Sequence, residues 1–129
     1  MSPELDRLVA EMVRNSADAL RTSDSDMLPA IMFSKDVSTT AAVGVVDMRP
    51  LTEAARVARE TARDMARHVK AYVVAWDGYV TIAEGPRTDA ILMEAWESSG
   101  NQTFLLAQRY RRHPFELIGD VVDVTDIAS

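Results

Sequence analysis

Asp89-Ala-Ile-Leu-Met-Glu-Ala-Trp-Glu97, Ser98-Ser-Gly-Asn101 and Gln102-Thr-Phe-Leu-Leu-Ala-Gln-Arg-Tyr-Arg-Arg112 together read as two strands around a polar turn. The flanking runs are rich in apolar and aromatic residues, and the connection contains Gly and Asn, which suit tight reversals. With a turn of two or four residues, even positions of the first strand share a face with odd positions of the second. Ile91, Met93, Phe104 and Leu106 then lie on one face, and Leu92, Glu94, Trp96, Leu105 and Arg109 on the other. Both faces carry large apolar side chains, so both need cover.

Upstream of this hairpin the period changes. Leu5, Leu8, Val9, Met12, Val13, Ala17 and Leu20 recur at three- and four-residue spacing, which predicts an amphipathic helix. Ser2 suits its N-cap, Pro3 its first position, and Glu4 and Asp6 its positive end. Thr22-Ser23-Asp24-Ser25-Asp26 ends it. A second helix is predicted from Pro50 to about Val69, with an alanine-rich stripe of Ala54, Ala55, Ala58, Ala62 and Ala66. Its other side carries Arg56, Arg59, Glu60, Arg63, Asp64 and Arg67, with Arg56–Glu60 and Glu60–Arg63 at pairing distance.

Between the helices, Ala30–Phe33 and Ala41–Val46 predict a buried hairpin across the Ser34–Thr40 connection. From Ala71 the pattern alternates, with Tyr72, Val74 and Trp76 on one face. Asp77-Gly78 is a two-residue hairpin signal or the site of a bulge. Phe115–Val124 predicts a last strand interrupted by Gly119. The order α-β-β-α-β-β-β(-β) implies a single α+β domain over residues 1–129, with two helices on a mainly antiparallel sheet of five or six strands. Both helices are expected on one face.

Composition limits the function. Of 129 residues, 47% are apolar and 26% charged, an ordinary globular balance. There is no cysteine, which excludes disulfides and thiolate chemistry. The N-terminal acids, the absence of a long apolar run and the lack of cysteine make the cytoplasm the expected compartment and give no reason to expect membrane binding. A net charge of −6 disfavours nucleic acid, although Arg56–Arg67 and Arg109–His113 are locally basic. No phosphate-loop, nucleophile-elbow or metal-ligand spacing occurs, so no cofactor and no metal is expected. His68 and His113 read as surface or capping residues. Asp24 and Asp26 read as turn formers, and Asp120, Asp123 and Asp126 as a solvated strand edge.

Glu94 is the acid that stands out, set mid-strand between apolar neighbours with Arg109 expected beside it. Trp76 and Trp96 are expected to rim a pocket or a subunit contact. Two helical stripes are too narrow to hide both faces of such a sheet. The expected function is therefore a non-enzymatic binding or assembly module that homodimerises through its sheet. The rival is a small-molecule pocket, catalytic or not, lined by Trp76, Glu94, Trp96 and Arg109.

Overall fold

Alternation along the strands separates the two helices. The computed structural model describes residues 1–22, 27–35 and 42–125. Asp24, Asp26, Asp126 and most of the Ser34–Thr40 connection, all given roles above, lie outside the described residues. Helix α1 (Pro3–Arg21) precedes strands β1 (Ala30–Ser34) and β2 (Ala42–Val45). Helix α2 (Leu51–Met65) runs into a short 3-10 turn (Ala66–His68), and β3 (Ala71–Val80), β4 (Thr88–Glu97), β5 (Gln102–Arg111) and β6 (Glu116–Asp123) complete the chain. All six strands join one antiparallel sheet in the order β2-β1-β3-β4-β5-β6.

Helix α1 starts as its sequence requires. The Ser2 hydroxyl accepts from the Leu5 amide at 3.1 Å, and Ser2 also bonds Glu97 at the end of β4. Its stripe of Leu5, Leu8, Val9, Met12 and Val13 packs on Met32, Val73, Ala75, Ile91, Met93 and Leu106.

Helix α2 lies on the opposite face, where Ala58 and Ala62 meet Ile31, Tyr72 and Val74. This corrects the expectation that both helices share one face: Ile31 and Met32 are neighbours in β1, and adjacent strand residues point to opposite sides. The part of the second face that α2 does not reach closes on itself. Val80, Ala90, Ala107 and Val124 form a third buried cluster, with Leu92, Leu105, Ile82 and Val122 partly buried around it.

Two local expectations are also overturned. Asp77-Gly78 is neither a turn nor a bulge, because β3 pairs with β4 without a shift from Ala71↔Glu97 to Val80↔Thr88. Strand β2 is not buried: Val43 and Val45 are 54% and 61% exposed on the outermost strand. The other outer strand, β6, carries the bulge. Its register slips between Ala107↔Val122 and Arg109↔Ile118, and Gly119 takes φ 65° there. The buried Gln108 amide donates to the Ile118 and Gly119 carbonyls at 3.3 and 3.1 Å, tying the bulge to β5.

Candidate functional site

Strand parity puts Tyr72, Val74 and Trp76 of β3 on the α2 side of the sheet, with Glu94 and Trp96 of β4. Glu94 stands opposite Val74, under the middle of α2, and is 2% exposed. Its carboxylate is surrounded by donors. Arg63 binds it through two nitrogens, Nη2 at 2.6 Å and Nε at 3.1 Å, and Arg59 approaches at 3.4 Å. The Tyr72 hydroxyl donates at 2.7 Å.

Burial alone would raise the Glu94 pKa. The hydrogen bonds from Arg63 and Tyr72 and the charges of Arg63 and Arg59 outweigh it, holding the carboxyl below the usual carboxylate range. The Tyr72 hydroxyl is pushed well above its ordinary value, first by burial and then by its bond to Glu94.

Aromatic rings extend this cluster on both sides. Tyr72 stacks on Trp96, with centroids 5.6 Å apart and planes inclined at 22°. Trp96 donates to the Asn101 side chain at 2.9 Å. The Arg59 guanidinium lies over the Trp76 ring, 4.7 Å from its centre. The two indoles open onto different cavities. Trp76 lines a cleft of about 530 Å³ between α2 and the end of β3. Trp96 lines a shallow hollow of about 520 Å³ beside the 3-10 turn.

Three of the four expected site residues are therefore linked through this network, and Arg109 is not. Arg109 sits opposite Ala90 and Ile118, four residues along β4 from Glu94, or about 13 Å at strand spacing. It packs against the β6 bulge, where a Cβ on Gly119 would come within 3.2 Å of its Nη2. Arg59 and Arg63, which do bind Glu94, were visible in the sequence only as part of a mixed helix surface. The expected Arg56–Glu60 pair forms at 2.9 Å, whereas Arg63 turns inward to Glu94.

In the other basic stretch, Arg111 and Arg112 are paired. Arg111 bonds Glu116, and Arg112 lies 3.4 Å from Asp77, which accepts from Tyr110 at 2.6 Å. His68 and His113 are exposed. Among the described residues, no group of three His, Asp or Glu side chains is placed to hold a metal, and no helix is long and apolar enough to cross a membrane. No family model, curated protein or solved structure matches the chain.

Proposed function

We propose that the chain is a non-enzymatic assembly module that forms a homodimer through its sheet, using the β2 edge that no other described strand pairs with. The observation that carries this reading is the contrast between the two outer strands. β6 bears Glu116, Asp120 and Asp123 and a bulge, devices that discourage edge pairing. β2 reads Ala-Val-Gly-Val, carries no charge, and leaves Val43 and Val45 exposed.

An antiparallel β2–β2 contact about a twofold axis would join two six-stranded sheets. Val43 and Val45 of each copy, on the face that carries α1, would shelter those of the other. The non-enzymatic part of the reading is supported by Glu94. Its oxygens are occupied by side chains of three residues, and its lowered pKa makes it a poor base.

Light scattering across a concentration series tests the proposal. The wild type is expected to approach twice the chain mass, and Val43→Lys combined with Val45→Lys to return it to one. A wild type that keeps the mass of one chain up to millimolar concentration would overturn it.

A further inference from the structure

The cleft beneath the first turns of α2 is a site of a different kind, and it stands whether or not the chain dimerises. Its walls combine Leu51 and Ala55 of α2 with Trp76 and Tyr79 of β3, and Arg59 and Arg63 reach into it. We propose that this cleft binds a small organic anion: a carboxylate or similar group on a flat apolar body, with the charge held by Arg59 and Arg63.

The geometry of the arginines carries the argument. Both engage Glu94 through Nε and Nη2, so one buried carboxylate fixes two guanidiniums. Among the described residues, Nη1 of neither has a hydrogen-bond partner. Both side chains remain accessible, at 36% and 53%. The acids on the same wall are already engaged, Glu60 by Arg56 and Asp77 by Tyr110 and Arg112. The wall therefore offers spare donors rather than spare acceptors.

Arg59 is held a second time by the Trp76 ring, so a ligand would meet donors whose side-chain freedom is already restricted. Guanidinium suits this role because its planar fork can bind one carboxylate and still present further N–H groups to another. About 530 Å³ is in the range of small-molecule sites, and the apolar walls give the body of the ligand somewhere to bury.

Isothermal titration with naphthoate, and with naphthamide as its uncharged counterpart, tests the site on the intact chain. Naphthoate should bind at least roughly tenfold more tightly than naphthamide, the size expected for charge-assisted hydrogen bonds. Arg59→Gln should remove most of that difference. Arg59 also supports Glu94, so a second variant avoids the ion cluster. Thr52→Trp, at an exposed position on the cleft wall, should fill the space and abolish binding of both compounds. Equal affinity for the two compounds, no binding of naphthoate, or undiminished binding by Thr52→Trp would each overturn the proposal.

Discussion

Glu94 keeps its charge while withdrawn from water because Arg63, Arg59 and Tyr72 all donate to it. Glu94→Gln would remove the anion on which they converge, but the arginines could return to solvent. We expect a loss of about 1–3 kcal/mol in denaturant unfolding, the usual cost of disrupting a charged hydrogen-bond group. Folding lowers this carboxyl's pKa, so its contribution is complete above the ordinary glutamate value and is lost as pH falls through the lowered one. Wild-type stability should therefore fall on acidification below about pH 4, and the Glu94→Gln variant should show a shallower slope there. At the β6 bulge, Gly119→Ala should cost about 1–2 kcal/mol, since φ 65° is left-handed backbone. The new methyl would also press on Arg109. The prominence of Glu94 was legible in its sequence position among apolar neighbours. Its partners were not, because strand alternation specifies which residues of a sheet share a face and is silent about the helix above.

The two helices are held by different means. Helix α1 buries leucine, valine and methionine, so Leu8→Ala should leave a cavity and cost about 2–5 kcal/mol. Helix α2 buries Ala54, Ala58 and Ala62 completely, and its link to the sheet depends heavily on Arg59 and Arg63. Ala58→Leu should therefore destabilise the fold by about 1–3 kcal/mol, although leucine is the more apolar residue, because no space exists for it. Thermal unfolding of both variants checks this contrast. Both helices were readable from their apolar stripes, and the 89–112 hairpin from its turn and alternation. Asp77-Gly78 was misleading because a turn dipeptide is only a local preference. Here Tyr110 and Arg112, more than thirty residues away, engage the Asp77 side chain, and the chain reverses between Val80 and Thr88 instead.

For the molecule as a whole, the sheet is better covered than the sequence suggested. Placing the helices on opposite faces, with a third apolar cluster beyond α2, hides most of the sheet. Helix placement is set by packing of distant elements, and neither stripe alone specifies a side. Among the described residues, β2 and β6 each have a strand on one side only, and the β2 edge is the uncharged one. If two copies pair there, folding and association are linked, and the melting temperature should rise with protein concentration. A melting temperature independent of concentration would count against that linkage.

The stack of Tyr72 on Trp96 gives the sheet an optical signature. The two rings belong to adjacent strands and face each other only in the observed register, Tyr72↔Trp96. A slip of one residue would send them to opposite faces of the sheet. Their near-ultraviolet circular dichroism, which depends on the relative orientation of the two rings, would therefore report on the alignment of β3 with β4 without any added label.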